Sequence, residues 1–214
     1  RNRDMMYYLT VYNEPMVQPA EPENVDVEGI LGGIYKVADA PAGQGPQVSL
    51  LASGVGVPWV LQAREMLLEH WGVRANVYSV TSWNQLRRNA LEVDEHNFLH
   101  PEQPAQVPFL SQKLAGATGP FIATSDYDHL VPDQIRQWIP GDYHVLGADG
   151  FGFSDTRAAA RRFFKIDAAS VVTKALEALA KQGQVDRSLV SQAIDRYDLL
   201  NVRAGNSGAQ GGDA

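Results

Sequence analysis

Cysteine is absent from the 214 residues, which excludes disulfides, thiolate metal sites and cysteine nucleophiles. That composition fits a cytoplasmic protein, and the cytoplasm is the expected compartment. Long apolar runs are missing too. None approaches the roughly 18 residues that a membrane span requires, so a bilayer is not an expected partner. The first residues lack the long apolar stretch and small-residue cleavage site of a signal peptide. Basic charge is also scarce: 18 Lys and Arg face 25 Asp and Glu, for a net charge of −7. Nucleic acid is therefore not an expected partner, because phosphate binding needs clustered cations. The one dense basic cluster, Arg157, Arg161, Arg162 and Lys165, reads as a solvated or ion-paired helix face.

What is present is an ordinary globular composition, 44% hydrophobic and 20% charged, long enough for one large or two small domains. Met5–Tyr12 is apolar and aromatic and reads as a buried strand, followed by a Pro-rich linker. An opening strand of this kind belongs to some other domain's sheet, so the chain is expected to be a truncated piece. Residues 1–28 form this strand and linker, 29–200 a second domain, and 201–214 a Gly/Ser/Asn-rich tail expected to be disordered.

In the second domain strand and helix signals alternate. Val48–Ala52, Asn76–Val80, Pro120–Thr124 and Tyr143–Leu146 are short apolar runs of the kind buried on both faces of a parallel sheet. Ile30–Val37 is expected as an edge strand of either direction, with Gly32 and Gly33 marking a bulge or a close backbone approach. Helices are expected from Pro58 to Trp71 before Gly72, over Trp83–Leu91, over Val131–Ile139, and over Ala158–Phe163 behind a cap at Ser154 or Asp155. Two more begin at Asp167 and Asp186. Residues 92–108, with Pro101 and Pro104, read as a polar surface loop containing Glu92, Asp94 and Glu95. The fold class is α/β: three layers, a mostly parallel sheet with helices on both faces.

Most chemical motifs fail on inspection. Ser53-Gly54-Val55-Gly56 lacks the third Gly of a dinucleotide fingerprint and the Lys of a P-loop, and reads as a tight strand-to-helix turn. No Gly-x-Ser-x-Gly elbow exists. The histidines, His70, His96, His100, His129 and His144, show no zinc-helix spacing and read as loop residues. Gly147-Ala148-Asp149-Gly150 approximates a Gly-Asp-Gly magnesium motif, but Ala148 interrupts it. No Asn follows at Val172–Ala180 to supply the second oxygen.

Several segments taken together carry a resemblance: YYLTVYNEP (7–15), EGILGGIYK (28–36), NVYSVTSWNQLRRNA (76–90), EHNFLHP (95–101) and ATSDY (123–127). Most specific is VLGADGFGFSDTRAAARRFFKIDAASVV (145–172), above all Gly147–Arg157. Over about residues 5–198 the chain resembles the carboxy-terminal end of the homodimeric bacterial pyruvate dehydrogenase decarboxylating components, in the transketolase superfamily. The resemblance implies a transketolase-type carboxy-terminal domain and, in the full enzyme, thiamine diphosphate and Mg²⁺ bound by regions that this chain lacks. It implies decarboxylation of pyruvate, reductive acetylation of a lipoyl group, a homodimer, and a dihydrolipoyl acyltransferase core as partner. No catalytic, cofactor or metal residue is carried over. Asp149, Phe151, Ser154 and Arg157 are the interface candidates, and Glu14 is placed at the approach to the active site of the assembled enzyme. Phe151 lies between two glycines, which suits an exposed anchor; the alternative is a core Phe. A stand-alone interaction module, or the same part of another 2-oxo acid dehydrogenase, are the other readings.

Overall fold

The computed structural model describes Asp4, Met6, Tyr7, Leu9, Val11, Tyr12 and residues 24–204. Four strands lie parallel, β2 (Gln47–Ala52), β3 (Arg74–Val80), β4 (Phe121–Thr124) and β5 (Tyr143–Leu146), and β1 (Ile34–Ala38) joins β3 antiparallel at one edge. The spatial order is β1-β3-β2-β4-β5. After β2 the chain builds β3 on one side, then crosses back to lay β4 on the other. That reversal leaves a crevice at the carboxyl ends of β2 and β4.

Alternation along each strand feeds two cores. Val48, Leu50, Ala75, Val77 and Ile122 pack under α2 (Gly56–Trp71) and α7 (Ala168–Lys181). Leu51, Tyr78, Val80 and Phe121 face the other way, onto α3 (Trp83–Leu99) and α4 (Phe109–Lys113). Both faces are covered, which is why the central runs are apolar at nearly every position. Asp167 caps α7 by accepting from the Ser170 N–H at 3.0 Å, and Ser82 caps α3 by accepting from Gln85 at 3.1 Å.

Local chemistry overrides the sequence pattern in several places. The first half of the expected strand Ile30–Val37 is helical: α1 covers Val27–Gly32. Asp26 explains the change, accepting from the Gly29 N–H at 2.8 Å and from the Lys113 ammonium, so a short apolar run is captured by a helix cap. Gly33, at φ 112°, then turns the chain into β1. The close approach expected at Gly32 is real, because a Cβ there would lie 2.4 Å from the Phe109 ring.

The expected loop 92–108 begins only after Leu99. Helix α3 continues because Leu86, Ala90 and Val93 keep burying at helical spacing, and it ends just ahead of Pro101. Glu92, Asp94 and Glu95 therefore sit on a helix, where Asp94 accepts from the Trp138 indole at 2.8 Å. The expected helix Val131–Ile139 is broken into α5 (Leu130–Asp133) and a 3-10 turn at Arg136–Trp138. The Tyr143 hydroxyl donates to the Pro132 carbonyl at 2.9 Å, the acceptor that a continuing helix would use. Helix α6 (Arg157–Phe163) is capped by Thr156, not Ser154 or Asp155, since the Thr156 hydroxyl accepts from Ala159 at 3.2 Å. The last helix, α8 (Ser188–Arg196), has Arg187 and not Asp186 at its cap position, and Asp186 accepts from the Ser188 N–H just ahead of it.

Three of the five histidines lie in regular elements rather than loops: His70 in α2, His96 in α3 and His144 in β5. The described residues of Met5–Tyr12 form no strand, and Met6, Tyr7, Leu9 and Val11 are exposed. A strand needs a neighbour to satisfy its backbone groups. The tail from 205 onward, and Glu14, lie outside the described residues.

Candidate functional site

The carboxyl edge of the sheet gathers the polar and exposed groups. In the crevice between β2 and β4, Ser53 and Ser125 share a buried hydrogen bond, Oγ to Oγ 3.2 Å. The turn after β2 is tight, with Gly56 N–H donating to Ser53 O at 2.9 Å, as the spacing of the Gly residues predicts. The Tyr12 hydroxyl bonds Asp126 here, and burial pushes the Asp126 carboxyl above its ordinary range. A hollow of about 790 Å³ opens beside these groups, lined by Ser53, Thr81, Ser82, Trp83 and Tyr127 among others, with no charged side chain in its wall.

Next to the crevice the loops after β4 and β5 are stitched together. Ala148 N–H donates to Tyr127 O at 2.8 Å. One oxygen of Asp149 accepts from the His129 backbone N–H at 2.9 Å, and the other stands 2.8 Å from His129 Nδ1. These bonds hold the Asp149 carboxyl below the usual range. Tyr127, Leu130 and Phe151 thereby share one edge, all exposed. Phe151 stands fully in solvent, between Gly150 at φ 95° and Gly152 at φ 100°. The core alternative for Phe151 is thus overturned: the left-handed turns that glycine permits carry the ring away from the sheet. Behind it Phe153 stacks on Phe163 with ring centroids 4.3 Å apart.

Of the sequence-predicted interface residues, Asp149, Phe151 and Ser154 are exposed on this loop, and Arg157 opens α6, also exposed. Asp149 is already engaged within the chain by His129. The contribution of His129 was not visible in the sequence, because nothing in its neighbourhood marks a partner 20 positions away. The basic cluster resolves as ion-paired and stacked: Arg162 is buried on Asp167 at 2.6 Å, and Arg161 lies over the Trp59 ring.

These residues do not fit a diphosphate cofactor and its metal. Asp149 already accepts from the His129 backbone N–H, and the described residues hold no group of three His, Asp or Glu able to bind a metal. The crevice wall offers no cation for phosphate. No catalytic step is derived from them.

The family model for the transketolase-like C-terminal domain matches residues 33–167. The chain is 49% identical to the pyruvate dehydrogenase E1 component of Mycolicibacterium smegmatis over 201 residues, covering 94% of this chain and 22% of the relative. It is 40% identical to that of Escherichia coli K12 over 200 residues, with 93% and 22% covered. The chain thus spans about a fifth of the length of these relatives. Among solved structures, a transketolase from Leishmania mexicana aligns at TM-score 0.49 and 21% identity, over 76% of this chain and 20% of its own.

Proposed function

The chain belongs to the transketolase-like C-terminal domain family, and on that premise we propose that it is the carboxy-terminal part of a thiamine-diphosphate-dependent pyruvate dehydrogenase component. The whole enzyme decarboxylates pyruvate on the cofactor and reductively acetylates lipoyl groups. Its cofactor and Mg²⁺ are bound by the diphosphate- and pyrimidine-binding domains, and this chain supplies neither catalytic nor cofactor residues. Its share is assembly: contacts with those domains, the homodimer, and through the whole enzyme the dihydrolipoyl acyltransferase core. The setting is the cytoplasm; no described helix is long and apolar enough to cross a membrane.

The observation that carries this reading is the exposure of Tyr127, Leu130 and Phe151 on two loops joined by the Asp149–His129 contacts. Large apolar side chains exposed on loops that are bonded to one another are what a partner covers. Asp149, Phe151, Ser154 and Arg157 are its proposed contact residues; the active-site-entry candidate, Glu14, lies outside the described residues. Co-expressing this chain with the preceding part of the parent enzyme tests the proposal. A stable complex that reduces an electron-acceptor dye with pyruvate is expected. Turnover by this chain alone, or no association between the two parts, would refute it.

A further inference from the structure

A second surface, which shares His129 with the edge described above, has the features of a ligand site. Helices α7 and α8 diverge beside the edge strand β5, leaving a groove of about 910 Å³. Ser170, Thr173, Lys174, Glu177 and Lys181 line one wall, and Arg187, Val190, Ser191 and Ile194 the other. Each set recurs at three and four residues, so each is one face of its helix. Phe164, Leu146 and Leu199 contribute apolar floor, and His129 and Lys165 also line the groove.

Two independent features indicate what fits. The groove holds four cationic side chains, Lys165, Lys174, Lys181 and Arg187, against one carboxylate, Glu177. Glu177 is clasped by both Lys174 and Lys181 at 2.6 Å. Second, Ser170 is only 5% exposed, and its hydroxyl meets no hydrogen-bond partner among the described residues. A buried hydroxyl without a partner is uncommon, because desolvation then goes uncompensated. The neighbouring Thr173 hydroxyl, by contrast, already donates to the Ala169 carbonyl at 2.9 Å.

We propose that this groove binds a small amphipathic anion, an apolar body on the Phe164–Ile194 floor with a carboxylate or phosphate head among the lysines, Arg187 and the Ser170 hydroxyl. The volume lies in the range of sites for small molecules, and the mixture of apolar floor with few polar groups matches them. Net positive charge at the rim selects the head, and the floor selects the body. Glu177 competes with the ligand for Lys174 and Lys181, so it sets the affinity from within the site.

The probes are octanoate and octyl phosphate, with octanol and inorganic phosphate as controls lacking one half of the chemistry. They are titrated into the full 214-residue chain in a calorimeter. Saturable one-to-one binding of at least one amphipathic anion is expected, at least tenfold tighter than either control, and weakening as salt rises. Comparison of the two heads identifies which is preferred. Arg187→Ser and Lys181→Ser, both at exposed positions that leave the fold intact, are each expected to lower affinity several-fold. Ser170→Ala is expected to lower it by a similar factor, and Glu177→Gln to raise it by freeing two ammonium groups. Octanol binding as well as octanoate, absence of saturation for both anions, or affinities indifferent to Arg187→Ser and Glu177→Gln would each overturn the proposal. Because none of these variants touches His129 or the Phe151 edge, failure here leaves the assembly reading untouched.

Discussion

The Asp149 carboxylate grips His129 at two points, its backbone N–H at 2.9 Å and its ring Nδ1 at 2.8 Å. That pair ties the loop after β5 to the loop after β4 and fixes the base from which Phe151 projects. Asp149→Ala removes both contacts. Amide hydrogen exchange at His129 and through residues 147–152 is expected to quicken at least tenfold, with exchange in β2 and β3 unchanged. The His129 bonds lower the Asp149 pKa in the folded chain. Its contribution is therefore complete above the ordinary carboxylate range, and is lost as pH falls through the lowered folded value. The part of loop protection that Asp149 supplies should therefore persist through the ordinary carboxylate range and be lost only below it. Unchanged exchange in the variant would mean that the loops are held by other contacts.

Phe151 is fully exposed, so truncating it removes no intrachain packing. Phe151→Ala should leave the melting temperature of this chain unchanged, while weakening association in the assembled enzyme by about 2 kcal/mol, the scale of an aromatic anchor. Sedimentation equilibrium reads the second effect and calorimetry the first. A melting temperature that falls with association intact would place the ring in a packing role instead.

The parallel sheet was legible in the sequence, because β2, β3, β4 and β5 are covered on both faces and so announce themselves as short apolar runs. The α7 cap at Asp167 was legible for an equally local reason. Long-range capture was not. Lys113 holds the Asp26 cap from 87 positions away, and Tyr143 takes the Pro132 carbonyl that the expected helix needed. The loop that carries Leu130 and Tyr127 is bonded to Asp149 and Ala148, a pairing set by the sheet order and not by neighbours in sequence. Gly150 and Gly152 did mark Phe151, since their backbone freedom is a property of the residues themselves.

Arg162 is the buried tie between α6, α7 and the chain after α8. It donates to Asp167 at 2.6 Å and to the Tyr197 carbonyl at 2.7 Å. With its side chain 7% exposed and that of Asp167 18% exposed, solvent repairs little of the loss. Arg162→Met leaves a carboxylate and a carbonyl without their donor, a change worth roughly 3–5 kcal/mol. For a chain of this size that corresponds to a fall in melting temperature of about 10 °C. Arg162→Lys should recover part of it, because one ammonium reaches fewer of these acceptors than the guanidinium fork. A fall below about 2 °C in calorimetry would show that the pair contributes little beyond a hydrophobic replacement.

The chain by itself should bind neither thiamine diphosphate nor Mg²⁺ tightly, and should not decarboxylate pyruvate. Tight diphosphate binding needs a metal held by several protein oxygens, or cations and helix amides aimed at the phosphates. The Gly147–Gly150 run offers one carboxylate, already bonded to the His129 backbone N–H. The crevice at the ends of β2 and β4, where an α/β sheet of this order would place a ligand, is walled by hydroxyls and aromatics without a cation. The cationic groove beside α7 is the competing place for a diphosphate, and any binding there would survive Asp149→Ala. Calorimetric titration of the chain with thiamine diphosphate and Mg²⁺ checks this directly. Dissociation constants no tighter than the millimolar range are expected, unchanged by Asp149→Ala. Micromolar binding that disappears in Asp149→Ala would put a metal-held diphosphate on the β5 loop, and the assembly role proposed for that loop would have to be abandoned.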